Sequence, residues 1–100
     1  MTIVDALKAL GNDRRLLILE WLKDPVAHFP AQVDGDLVTD GVCGVNIAVK
    51  LDVSQPTLSE HMRILVQAEL VTAKRIKQWT FYRRNEPAIA ALKSAFAAEV

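Results

Sequence analysis

The sequence predicts a mainly α-helical domain with one β-hairpin near its C-terminal end, an α+β class with about five helices. Three observations carry that reading. Apolar residues recur at helical spacing in four or five short segments; "LVTAKRIKQWTFYRR" switches to strand-like alternation around Lys77-Gln78; and "VSQPTLSEHMRIL" opens an amphipathic helix directly after another short one. One hundred residues suffice for one modest core and are too few for two, so residues 1–100 are read as a single domain. With 51% hydrophobic and 24% charged residues, extended disorder is excluded.

Ile3, Leu7 and Leu10 form the stripe of a first helix that stops at Gly11. Asn12 or Asp13 then caps a second helix through "RRLLILEWLK", apolar on nearly all sides and therefore central to the core, ending at Asp24-Pro25 because the residue before proline disfavours helix. Residues 25–41, with two prolines, two glycines and no sustained periodicity, read as a long loop with room for a short hairpin. A third helix fits "CGVNIAVKL", with Val45, Ala48 and Leu51 on one face, and a tight turn at Asp52-Val53 follows.

In the next helix Ser54 is placed as N-cap and Pro56 lies in the first turn, where a missing N–H costs nothing. Leu58, Met62, Leu65 and Val66 cluster on one side; Pro56, Ser59, Glu60, Arg63 and Gln67 face away. The hairpin sends Trp79 and Phe81 to one face and Thr80 and Tyr82 to the other. Asn85-Glu86-Pro87 starts a last helix with Ile89, Leu92 and Phe96 as its stripe.

The formal net charge of zero conceals a split. Residues 1–53 carry five basic and eight acidic side chains, residues 54–100 seven and four. Between positions 61 and 84, Arg63, Lys74, Arg75, Lys77, Arg83 and Arg84 are opposed only by Glu69, which concentrates positive charge where an anionic partner could use it. The competing reading is an ordinary solvated face.

Two short helices joined by a tight turn, the second N-terminally polar, make a helix-turn-helix pattern, and a basic hairpin after it makes a wing. One capping residue would suffice for the helix, yet Ser54, Gln55, Thr57 and Ser59 all crowd its start. In a major groove Gln can pair with adenine, and Ser or Thr can bond base edges or phosphates. The alternative is that Ser54 and Thr57 cap and the rest is solvated surface.

These residues resemble the ArsR-type winged helix-turn-helix transcriptional regulators. "LKALGNDRRLLILEWL" is similar to that family's opening, "VSQPTLSEHMRILVQAELV" matches its recognition-helix pattern closely, and "RIKQWTFYRR" occupies the wing, so that the resemblance covers nearly the whole chain outside 25–41. It implies a homodimer on double-stranded DNA, binding an inverted repeat and usually repressing. The first and last helices would form the dimer interface through Ile3, Leu7, Leu10, Ile89, Leu92 and Phe96; monomeric core packing is the other role open to these residues. Carried over position by position, Ser54, Gln55, Thr57, Ser59, His61 and Arg63 become DNA-contact candidates, with packing an equal alternative for His61. Lys74, Arg75, Lys77, Gln78 and Arg83 become wing candidates.

Departures from the pattern matter. Asp52, Glu69 and Lys77 stand where glycines are usual, and Lys77 suggests a wing turn of a different type. Glu60 would repel phosphate unless it accepts from a cytosine amine. The family's C-x-C metal scheme meets only Cys43-Gly44-Val45, and its last-helix Asp/His scheme meets only Glu99, so no metal and no cofactor are expected. Cys43 remains open as a redox switch or as packing. His28, Asp34, Asp36 and Asp40 could hold a divalent cation, or the aspartates could simply form turns.

No phosphate loop or catalytic constellation emerges, so an enzyme is not expected. A winged-helix module that binds protein rather than DNA is the alternative function. With no long apolar run, no basic segment before the first apolar stretch and a single cysteine, the expected location is the cytoplasm, without a membrane partner.

Overall fold

The computed structural model describes residues 2–100. Six helices and a three-stranded antiparallel sheet follow in the order α1 (Ile3–Leu10), α2 (Asp13–Lys23), α3 (Pro25–His28), β1 (Val42–Cys43), α4 (Gly44–Leu51), α5 (Gln55–Gln67), β2 (Val71–Ile76), β3 (Trp79–Arg84) and α6 (Glu86–Glu99). The expected helices and hairpin are all present. The additions are α3 and β1, both at the edges of what reads in sequence as loop.

Caps set the helix starts. The Thr2 hydroxyl accepts from the Asp5 N–H at 3.1 Å, Asn12 rather than Asp13 caps α2 by accepting from the Arg15 N–H at 3.2 Å, and Asn85 accepts from the Ala88 N–H at 3.4 Å. Pro25 ends α2 and, at the same time, occupies the first position of α3, where its fixed φ suits a new turn of helix. No hairpin forms in 25–41. Instead Val42 and Cys43 pair with Tyr82 and Phe81 of the wing, giving the sheet order β1-β3-β2 and taking Cys43 out of the third expected helix, which starts at Gly44.

The core gathers Ala6 and Ala9 of α1, Ile18, Leu19 and Leu22 of α2, Ile47 and Ala48 of α4, Leu58, Met62 and Leu65 of α5, and Ile89 and Leu92 of α6. Helix α2 is less central than its composition suggests, because Leu16 and Leu17 remain 51% and 38% exposed. On α4 the buried face centres on Ile47 and Ala48, with Val45 and Leu51 half-buried. Phe29, just after α3, packs edge-to-face on Trp21 with ring centroids 6.2 Å apart, and Lys50 lies over the Trp21 ring at 5.1 Å. None of the described helices is long and apolar enough to cross a membrane.

Phe81 is buried apart from that core, under the 30–41 loop. Gly35 runs so close over it, at φ 77°, that a Cβ there would come within 2.8 Å of the ring. Trp79, on the same strand face, lies nearer the tip and stays 37% exposed. The loop is therefore the lid of a second small apolar centre in which the wing strand supplies the main side chain.

Candidate nucleic-acid interface

The turn between α4 and α5 is built on Asp52, which takes the left-handed backbone (φ 58°) normally left to glycine. Its N–H donates to the Val49 carbonyl at 3.2 Å and that of Val53 to Ala48 at 3.1 Å, so α4 closes tightly before α5 begins. Ser54 then caps α5, accepting from the Thr57 N–H at 3.3 Å, while its own hydroxyl lies 3.0 Å from the Thr57 hydroxyl. Capping thus occupies two of the four polar side chains at this end. Gln55 and Ser59 are exposed and their side chains make no hydrogen bond with any described residue.

Across from them stands the wing. Val71 pairs with Arg84 and Ile76 with Trp79, leaving Lys77-Gln78 as a two-residue turn. Lys77 keeps the left-handed conformation (φ 56°), and Glu69, after α5, does the same (φ 63°). All three positions where glycine is usual therefore retain the glycine-like backbone. That conformation costs an L-residue roughly 1–2 kcal/mol. At the wing tip Lys77 does not escape it. A cleft of about 360 Å³ lies between α5 and β3, bringing Gln55, Ser59 and Gln78 to one place with Trp79, Thr80 and Tyr82. The last three were not among the sequence candidates; in a strand that alternates, nothing local marks which face borders the helix.

His61 sits at the inner border of the polar face, half-buried, and its Nδ1 is 3.2 Å from Arg15 Nη1. A guanidinium has no acceptor, so Nδ1 accepts and the ring proton belongs on Nε2. Burial, with Arg15 and Arg14 adding to it, holds the His61 pKa below its ordinary value. The same Arg15 donates from Nε to the Ala9 carbonyl at 2.6 Å and thereby ties α1, α2 and α5 together. His61 is thus engaged inward. Arg15 was missed because an arginine within "DRRL" reads as solvated surface.

Arg63 is exposed on the outer face of α5 but not unpartnered: it forms a two-pronged pair with Glu60, at 2.9 and 2.5 Å, and reaches Gln67 at 2.9 Å. This pairing, by hydrogen bond first and charge second, lowers the Glu60 pKa and raises that of Arg63. The wing cations are partnered too: Lys74 with Asp40 at 2.5 Å, Lys77 with Asp34 at 2.9 Å, and Arg83 with the Thr39 carbonyl at 2.7 Å. Arg75 turns its Nε to the Lys77 carbonyl at 3.2 Å, and Arg84 is held inward by Glu86 and the Leu19 carbonyl.

The acidic loop is accordingly not an open cation site. Asp36 Oδ1 accepts from the Val38 and Thr39 N–H groups, both at 2.9 Å, Asp40 Oδ2 accepts from the Asp36 N–H at 2.7 Å, and Asp34 is paired with Lys77. The Thr39 and Val38 N–H groups lower the Asp36 pKa, and the bond from Lys74, followed by that from the Asp36 N–H, lowers the Asp40 pKa. Among the described residues no three His, Cys, Asp or Glu side chains converge to hold a metal ion. Cys43 is half-buried at the start of α4, and its N–H donates to Gln32 Oε1 at 2.7 Å.

At the two ends of the chain, Ile89 and Leu92 are already buried by the rest of the molecule, Ile3 and Leu10 are half-buried against the core, and Leu7 and Phe96 remain 41% and 45% exposed. Val4, at 55%, joins them; the sequence candidates had omitted it.

A tight two-helix unit with a polar second helix, flanked by a basic hairpin, defines a winged helix-turn-helix domain of the kind that binds DNA. Residues 43–73 match the model of the bacterial regulatory protein arsR family. The HTH-type transcriptional regulator YbzH of Bacillus subtilis (strain 168) is 41% identical over 100 residues, covering the whole of both chains. The crystal structure of a possible transcriptional regulator for arsenical resistance superposes with a TM-score of 0.70 at 22% identity, covering 94% of this chain and 82% of that one. A homodimeric winged helix-turn-helix DNA-binding domain of Mycobacterium bovis gives 0.65 at 24% identity, over 96% and 76% of the two chains. The chain belongs to the ArsR family of transcriptional regulators. It is a regulator and not an enzyme.

Proposed function

We propose that this chain, as one domain, forms a homodimer in the cytoplasm that reads an inverted repeat in double-stranded DNA and represses the genes beside it. The observation that carries the reading is the pair of exposed, unengaged side chains, Gln55 and Ser59, at the N-terminal end of α5, facing Gln78 of the wing across one cleft. Amide and hydroxyl groups in that position suit base edges, with Thr57 beside them and Arg63 and the wing cations Lys74, Arg75, Lys77 and Arg83 fixing the docking on phosphate. Ser54 caps the helix and His61 sets its seat, so both act through α5 rather than on a base.

The dimer is supported by Val4, Leu7 and Phe96, large apolar side chains on α1 and α6 that one chain leaves in water. The two helices touch each other within the chain. A two-fold axis beside α1 and α6 would present two α5 helices to half-sites about one helical turn apart. The M. bovis neighbour is itself homodimeric.

The test is selection of genomic DNA fragments by purified protein at near-physiological salt, followed by sequencing, with the mass of the free protein measured by light scattering. Enrichment of an inverted repeat by a dimer is the expected result. Binding that is weak on every fragment and flat with salt would instead favour a module that meets protein, because phosphate contacts release counterions and fall steeply with salt.

A further inference from the structure

We infer that the acidic loop between Asp34 and Asp40 is a built-in competitor for the wing's phosphate-binding cations, holding down the protein's affinity for DNA of any sequence. The inference rests on the DNA-binding reading of the wing. Three of its five candidate residues are tied to this single loop, two by ion pairs and one by a backbone carbonyl: Lys77 to Asp34 at 2.9 Å, Lys74 to Asp40 at 2.5 Å, Arg83 to Thr39 at 2.7 Å.

The partners are unequal. The lysine side chains are 67% and 59% exposed, whereas Asp34 and Asp40 are 26% and 20% exposed. Asp40 is seated by the Asp36 N–H, Gln32 clamps the loop ends through the Gly41 carbonyl at 3.0 Å and the Cys43 N–H at 2.7 Å, and Gly35 is pressed on Phe81. Asp40 is therefore held by the loop's own backbone, Asp34 is carried beside the Gly35 contact that anchors the loop on Phe81, and the more exposed lysines are the movable members. An incoming phosphate takes each ammonium from its carboxylate, and the carboxylate stays behind beside the phosphate. The wing gains only the difference between two anionic partners, so its non-specific contribution is weak and selectivity falls to α5. An exposed ion pair is worth little by itself, which makes the loop a restraint on affinity and not a block.

The experiment compares wild type, Asp34→Asn/Asp40→Asn, and a control of equal charge, Glu20→Gln/Glu99→Gln, on random-sequence duplex DNA by fluorescence anisotropy and on a heparin column. The loop variant is expected to bind DNA roughly five- to tenfold more tightly than the control, with steeper salt dependence, and to elute later from heparin. The gain should vanish when Lys74→Ala/Lys77→Ala is added. A loop variant that matches the control on both polyanions overturns the inference. If none of the proteins binds duplex DNA while the loop variant alone is retained longer on heparin, the DNA reading fails and the competing loop stands. Asp34→Asn alone covers the case in which loss of the Asp40 charge disturbs the loop, because the Asp34 carboxylate bonds only Lys77 among the described residues.

Discussion

The N-terminal end of α5 and the wing treat their polar side chains in opposite ways. At the start of α5, the Gln55 and Ser59 side chains have no hydrogen-bond partner among the described residues; on the wing, Lys74, Lys77 and Arg83 are each engaged by the 34–40 loop. Neutral hydrogen-bonding groups left in water cost nothing and keep their directionality for a partner. Cations left in water would attract any polyanion. The difference teaches that a chain with no net charge can still carry a basic wing, provided its counter-charges come from the same fold.

The comparison can be broken most severely at Phe81, the side chain that seats the loop on the wing. Phe81→Ala should cost about 3–5 kcal/mol, read as a lowered urea midpoint, because it empties the small apolar centre under Gly35. An unchanged midpoint would mean that the loop is not packed on that ring. Gln55→Ala sharpens the other half: it should lose about 1–3 kcal/mol of discrimination at one base pair of a selected operator while retaining binding to random duplex. Lys77→Ala should weaken all sequences alike and reduce the salt slope by about one. Equal, sequence-independent losses in both variants would refute the division between base reading and docking.

The smallest expected effect lies at His61. Its folded pKa is below the ordinary histidine value of about 6.5 because burial and Arg15 oppose its charge, so the unfolded chain takes the proton first. Stability linked to this group is full above that value and is lost as the pH falls below it. Wild type should therefore lose slightly more stability than His61→Gln between about pH 7.5 and 5.5, in paired urea titrations. A wild-type curve that runs parallel to the variant's would show that the ring does not meet Arg15 as a neutral acceptor.

The helix-turn-helix itself was legible in the sequence because its determinants are local. Ser54 caps within three residues, Pro56 fits the first turn, and Leu58, Met62 and Leu65 repeat at helical spacing, so a short window specifies the element. The wing was legible for the same reason: its register is set by the two residues between Ile76 and Trp79. At Asp52, whose residue type tolerates a left-handed backbone, and at Glu69 and Lys77, whose types argue against it, the fold takes a positive φ at all three. There the surrounding turns outweigh a local cost.

What the sequence determined by itself is thus the identity and order of every helix except α3, the hairpin, and the polar character of the start of α5. Only the tertiary structure decided that Val42-Cys43 extends the wing sheet, that Arg15 holds His61, that Ile89 and Leu92 are buried while Leu7 and Phe96 are not, and that the acidic loop is spent on the wing's cations. Each of these joins residues tens of positions apart, or depends on what a distant element covers. Caps, turns and periodicity act within a few residues, but a charge or an apolar face finds its partner through the path of the whole chain.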